Sequence, residues 1–260
     1  MNISDVIINL DLKIGEQHRG DCPACAGHNT FTVTRTIEGT LFNCYKAGCR
    51  LAGRKATSIR VSDLQVSDNQ EDTSPFSLPP HVVIGRSEIT EWINKHAYPF
   101  ENVELYYDLL ENRIVFPVRH EGVIVDATGR ATDQRQPKWK RYDSSSSYAY
   151  TSGEGTIAIV VEDAISAAVA GATDANCTGM AILGTSLLPS HVEQLQGYTG
   201  VIVALDPDAV KKTLIFTQEL RGKLQHQQIY AARLEDDLKY RRKHDIRLMK
   251  EKIEQFNAKN

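Results

Sequence analysis

Four of the chain's five cysteines stand in two close pairs near its start, Cys22-Pro-Ala-Cys25 and Cys44-Tyr-Lys-Ala-Gly-Cys49. Two thiolates on one short loop can converge on a single ion, and two such loops complete a tetrahedral four-sulfur site. Between them, Phe31–Arg35 and Thr40–Cys44 are β-prone and flank Glu38-Gly39, a turn sequence. The pattern predicts a hairpin with one cysteine pair at each end: a zinc ribbon holding structural Zn²⁺ through Cys22, Cys25, Cys44 and Cys49. The second loop is the longer one, so His28 stands as an alternative to Cys49. The ion matters to folding, because a piece of under about 60 residues buries too little apolar surface without a staple. Cys177 lies far from the pairs and reads as a small core residue.

Residues 58–80 hold three prolines and several serines, and from residue 61 onward four acids and no Lys or Arg. They read as an acidic flexible linker. It divides a ribbon over 1–57 from a larger region over 81–260. No apolar run approaches the ~20 residues of a membrane helix. The opening Met1-Asn-Ile-Ser-Asp has no basic stretch ahead of an apolar one, so no secretory leader is expected. A cytoplasmic setting with reduced cysteines follows, with no membrane partner.

The net charge of −3 conceals segregation. Thr156 to Asp208 carries six acids and no Lys or Arg, whereas 209–260 carries thirteen bases against seven acids. An acidic, apolar centre between basic flanks suits a protein that gathers cations centrally and polyanions around them. In the ribbon, Arg19, Arg35, Lys46, Arg50, Arg54 and Lys55 accompany Phe31, Phe42 and Tyr45. That mixture suits phosphate contact and base stacking on a single nucleic-acid strand.

Beyond residue 155, buried-type strands alternate with helices. Thr156–Val161, Met180–Leu183, Val201–Leu205 and Ile229–Ala232 read as strands; Ala164–Gly171, Leu188–Leu195 and Ala209–Leu224 read as helices. This alternation predicts a parallel sheet. Ligands bind such sheets beyond the carboxyl ends of the strands, where Glu162, Asp206 and Asp208 fall, with Asp236 and Asp237 following the last strand. Two acids as close as Asp206 and Asp208 repel unless they share a divalent cation, and Mg²⁺ brings phosphate substrates with it.

Glu162 after a strand, the Leu183-Gly184-Thr185-Ser186 turn and Leu205-Asp206-Pro207-Asp208-Ala209 together resemble the Toprim domain of primases, topoisomerases and some nucleases. A zinc ribbon ahead of it resembles the bacterial replicative primases and the primase half of phage primase-helicases. Asn112-Arg113-Ile-Val-Phe-Pro117, Gly129-Arg130 and Pro137-Lys138-Trp139 look like the subdomain that precedes Toprim in those enzymes. The resemblance implies a multi-domain α/β chain: a β-rich ribbon, a linker, an α+β subdomain over 81–155 and a Toprim domain over 156–260 with a basic C-terminal helix.

By that resemblance Glu162, Asp206 and Asp208 are catalytic. Glu162, Asp206, Asp208 and Asp237 hold Mg²⁺ or Mn²⁺, and Arg113, Arg130, Lys138, Lys140 and Arg141 bind nucleotide and template. The implied activity is synthesis of short RNA primers on a single-stranded DNA template from nucleoside triphosphates. The family commonly has an acid where this chain has Ser166, a place Asp163 could fill. The basic stretch Lys239–Lys252 reads as a helix packed on the Toprim surface or as a contact to a replicative helicase on a separate chain. Two alternatives share these acids: a non-catalytic zinc and Toprim DNA clamp of the recombination-mediator kind, and a Toprim nuclease.

Overall fold

The computed structural model describes residues 3–10, 12, 17–36, 39–56, 76–143, 147–225 and 227–257. Residues 58–75 of the expected 58–80 linker and Glu38 of the expected hairpin turn lie outside the described residues, whereas Phe76 and Leu78, at the linker's end, pack against Val82, Val115 and Ala127. The chain forms two compact units, Met1–Ser74 and Pro75–Asn260.

The first unit has a short helix, α1 (Ile3–Asn9), and four antiparallel strands in chain order: β1 (Gln17–Gly20), β2 (Phe31–Thr36), β3 (Gly39–Cys44) and β4 (Ala52–Lys55). β2 and β3 form the expected hairpin, with Phe31 opposite Cys44 and Thr36 opposite Gly39. Its core is small: Ile7, Cys22, Phe31, Val33 and Cys44. Two residues expected at a nucleic-acid surface belong inside instead. Phe31 is 2% exposed and Arg35 3%, because β2 is covered on both faces and its side chains do not alternate in and out. Tyr45, by contrast, is 65% exposed.

The second unit holds two five-stranded sheets. The first is antiparallel: β5 (Val82–Val83), β6 (Tyr106–Asp108), β7 (Arg113–His120), β8 (Val123–Ala131) and β9 (Trp139–Arg141), preceded in part by helix α2 (Ser87–His96). The second runs in the order β10 (Tyr150–Ser152), β12 (Cys177–Ala181), β11 (Ile157–Val161), β13 (Gly200–Val203), β14 (Gln228–Ala231). Its last four strands are parallel, and β10 pairs antiparallel with β12 at the edge. Helices α3 (Ala164–Gly171), α4 (Pro189–Leu195) and α5 (Val210–Lys223) follow β11, β12 and β13 in turn.

Packing explains the arrangement. Every side chain of β11 and of β12 is buried, as expected of central parallel strands covered on both faces. Phe116 of β7 lies 5.6 Å from Tyr150 and 6.4 Å from Trp92, ring centre to ring centre, which joins the two sheets in one core. α3 lies so close on β12 that a Cβ at Gly179 would fall 1.8 Å from the Ala167 carbonyl oxygen, so only glycine fits there. Cys177 is a buried core residue of β12. The C-terminal helix α6 (Lys243–Asn257) buries Met249, Ile253 and Phe256. It begins four residues later than the sequence suggests, because Leu238–Tyr240 is a 3-10 turn closed by Arg241 at φ 51°. Among the described residues, no helix is long and apolar enough to cross a membrane.

Candidate active site and metal centre

In the first unit the four cysteine sulfurs lie within 4.8 Å of one another. Cys22 Sγ and Cys49 Sγ are 3.9 Å apart, and Cys25 Sγ and Cys44 Sγ 3.8 Å. A tetrahedron of sulfurs at about 2.3 Å from a zinc ion has edges of about 3.8 Å, so the set fits the ion. Cys49 is therefore the fourth sulfur. His28 points elsewhere; its side chain is 92% exposed and pairs with Asp21 at 2.9 Å. The Thr30 hydroxyl, 3.4 Å from Cys44 Sγ, helps hold that thiol down at about 6, while burial pushes the Cys25 thiol up to about 12. Four sulfurs this close cannot all ionise without a cation to share.

In the second unit, the carboxyl ends of the parallel strands meet β9 across a cleft of about 430 Å³. Glu162, directly after β11, Asp163, Asp206, beyond β13, and Lys239 line one side, and Trp139, Lys140 and Arg141 the other. The Leu183-Gly184-Thr185 turn closes the cleft, with Leu183 at φ 51° and its N–H donating to the Glu162 carbonyl at 3.2 Å. Of the acids expected from the sequence, Glu162 and Asp206 line this cleft, whereas Asp208 and Asp237 are not among its lining residues.

Burial raises the Glu162 carboxyl above the usual carboxylate range; Lys212 opposes the shift, and Asp208, Asp163 and Asp237 add to it. Burial, with Asp237 next, lifts Asp206 to about 7 against the pull of Lys239. Glu162 Oε1 is buried with no hydrogen-bond partner. Asp208 is exposed on the 3-10 turn Pro207–Ala209, close enough to Glu162 to raise it. Carboxylate oxygens, one of them unpartnered, suit a hard divalent cation that keeps some of its waters. Among the described residues, only the cysteines converge as tightly as a closed metal site; the acids ring open space.

Asp163 has other work. Its Oδ1 accepts the Ser166 N–H at 3.0 Å and caps α3, and its Oδ2 pairs with Lys239 at 2.9 Å. Ser166 is fully buried, so an acid at that position would be sealed inside the fold. Lys239 Nζ also lies 2.5 Å from Asp237 Oδ2, and its side chain is 12% exposed. The two carboxylates hold its ammonium charged despite burial. Sequence reasoning placed Lys239 in a basic surface stretch; nothing local distinguishes it from Arg241, Arg242 or Lys243.

The basic residues divide into two kinds. Arg113 is 1% exposed and acts as a brace: it donates to Glu111 at 2.9 Å and to the carbonyls of Pro137 (2.9 Å), Gly129 and Lys138 (both 3.4 Å). Burial removes it from direct ligand contact. Lys140 pairs with Glu111, and Arg141 with the fully buried Asp126. Arg130 lies 5.4 Å over the Trp139 ring, opposite it in the β8–β9 register. Lys138 is exposed at the start of this strand.

No family model matches the chain, and no curated protein matches it. Among solved structures it is similar to the zinc-binding and RNA polymerase domains of the Aquifex aeolicus primase, at 18% identity, covering 99% of this chain and 83% of that one, with a TM-score of 0.46. It is similar to the primase fragment of the bacteriophage T7 primase-helicase at 17% identity, covering 91% and 98%, with a TM-score of 0.45. It is also similar to a DnaG primase catalytic domain bound to single-stranded DNA, at 17% identity, covering 65% and 71%, with a TM-score of 0.46.

Proposed function

We propose that this chain is a primase that joins nucleoside triphosphates into short RNA primers on a single-stranded DNA template. The observation that carries the reading is the cleft in which Glu162, with its unpartnered buried oxygen, and Asp206 face the basic strand β9. Acids on one wall and cations on the other suit a substrate that brings phosphates to a metal ion. Glu162, Asp206 and Asp208 would hold Mg²⁺ or Mn²⁺, with Asp237 beside them. When bound, such an ion stabilises negative charge on phosphoryl oxygens and lowers the pKa of a coordinated hydroxyl.

The chain's own groups do the rest. Glu162 either holds the ion or, where it does not, accepts the proton of the attacking 3′-hydroxyl as the oxygen bonds to the α-phosphorus and pyrophosphate leaves. Lys138, Lys140 and Arg130 offset triphosphate and template charge, and Trp139 offers an aromatic face beside them. Arg141 holds β9 against Asp126 while lining the cleft. The four-cysteine unit, folded around Zn²⁺, contributes template recognition through its exposed Tyr45 and basic residues.

The capping and pairing of Asp163 leave fewer free acids than a fully equipped nucleotidyl-transfer site would have, which favours the non-catalytic clamp as the second reading. Labelled nucleotide incorporation on mixed single-stranded templates, with Mg²⁺ or Mn²⁺ and no primer, separates the two. A primase makes short products that vanish in Asp206→Ala and Glu162→Gln while template binding survives. Absence of products in either metal, with salt-sensitive DNA binding unaffected by Asp206→Ala, would establish the clamp.

A further inference from the structure

Among the described residues on the acidic side of the cleft, Lys239 is the one base. It belongs to the short 3-10 turn Leu238–Tyr240, which begins where Asp237 ends the connection from β14. Leu238 is fully buried in the core, and this anchors the turn and fixes the direction of its neighbours. The Lys239 ammonium is held between Asp163 Oδ2 at 2.9 Å and Asp237 Oδ2 at 2.5 Å.

Two carboxylates from separate elements sharing one buried cation reproduce the charge arrangement of a metal bridge, with an ammonium in the ion's place. A salt bridge at this depth persists only when both partners are well placed, because each charge forfeits hydration. The geometry meets that demand. Asp163 is fixed by its second bond to the Ser166 N–H, so it cannot swing toward another cation without uncapping α3. Among the described residues, Glu162 Oε1 is buried with no hydrogen-bond partner, which leaves it free to meet a cation.

We propose that Lys239 is a built-in cation occupying the second position of the acid cluster, so that Glu162, Asp206 and Asp208 take up one divalent ion where the same cluster with Asp163 and Asp237 free would take two. The inference deepens the metal-dependent reading above and rests on it. Lys239 is thus a positioning residue: it fixes Asp163 and Asp237 and sets how many ions the cleft admits.

Counting bound Mn²⁺ by electron paramagnetic resonance on the zinc-loaded full chain tests this without recourse to activity. The wild type should bind one Mn²⁺ per chain, lost in Asp206→Asn. Lys239→Ala, which removes the cation and vacates its space, should bind two. Lys239→Arg, which keeps the charge, should return to one. Two ions in the wild type, or no gain in a folded Lys239→Ala, would overturn the proposal while leaving the acids as a metal site. No Mn²⁺ on the wild type would overturn the metal-dependent reading and this proposal with it. The wild-type count decides by itself between one ion and two, whatever the variants' stability.

Discussion

Cys25 Sγ and Cys44 Sγ, contributed by the two ends of the β2–β3 hairpin, stand 3.8 Å apart. That separation is a tetrahedral edge around zinc, and it ties the loop before β2 to the end of β3. With so small a core, the first unit depends on the ion for its fold. Metal analysis should give one zinc per chain, and Cys44→Ser should lose both the ion and protection of this unit from proteolysis. His28→Ala should keep both. A unit that stays protected after zinc is stripped by a strong chelator would refute the staple.

Asp206 carries a stability cost that binding relieves. Its folded pKa is raised to about 7, so in metal-free protein the carboxylate is disfavoured by the fold. The penalty is absent below the unfolded value, grows as pH rises toward 7, and is complete above it. For a half-buried group, solvent screening reduces the full linkage value to about 1–2 kcal/mol. Asp206→Asn should therefore raise metal-free stability by that amount at about pH 8 in urea titrations. It should also abolish stabilisation by added Mg²⁺. A variant that is less stable than wild type without metal would contradict this account.

Much of this arrangement is legible in the sequence, for identifiable reasons. β11 is a continuous apolar run bounded by turns, and such a run has few alternatives to a buried strand. Glu162 and Asp206 follow from it, since position beyond a parallel strand's carboxyl end is fixed by chain direction. The cysteine pairs constrain a ribbon through valence and reach alone. Lys239 is hidden because its neighbours are equally basic and its inward turn depends on Leu238 docking into a distant core. Arg113 misleads for the opposite reason: an arginine near a basic loop looks like a ligand contact until burial shows that it supports the loop's carbonyls. Phe31 and Arg35 mislead because period-two alternation presumes one wet face, which β2 lacks.

Arg113 gives a prediction that separates support from contact. Its buried guanidinium ties Glu111 to the carbonyls of Gly129, Pro137 and Lys138, so truncation cuts the brace between them and leaves Glu111 with Lys140 alone. Arg113→Ala should destabilise the second unit by about 2 kcal/mol, from several lost charge-assisted hydrogen bonds and the space its side chain vacates. Arg113→Lys should recover only part, because an ammonium lacks the planar fork that reaches several acceptors. Urea denaturation reads the stability. Nucleotide affinity, measured below the unfolding transition, should fall far less in Arg113→Lys than in Lys138→Ala if Arg113 acts only through the loop.

His191 supplies a pH dependence whose sign follows from its surroundings. It is 1% exposed in α4, and its Nδ1 accepts the Leu188 N–H at 3.2 Å, which requires the neutral ring. Burial, with Arg141 nearby, lowers its pKa from 6.5 to about 4. The unfolded chain therefore binds a proton that the folded chain refuses between those values. Stability from the neutral ring is complete above the unfolded value and is lost progressively as pH falls to about 4, below which it stays constant. Between about pH 7 and pH 4.5 the wild type should lose about 2 kcal/mol more than His191→Gln, which keeps an acceptor but does not titrate. Parallel urea titrations at the two pH values measure the difference, and imidazole NMR should show the ring still mostly neutral at about pH 5. Equal losses in the two proteins would mean that the ring charges in the folded state, and that its bond to Leu188 does not hold it neutral.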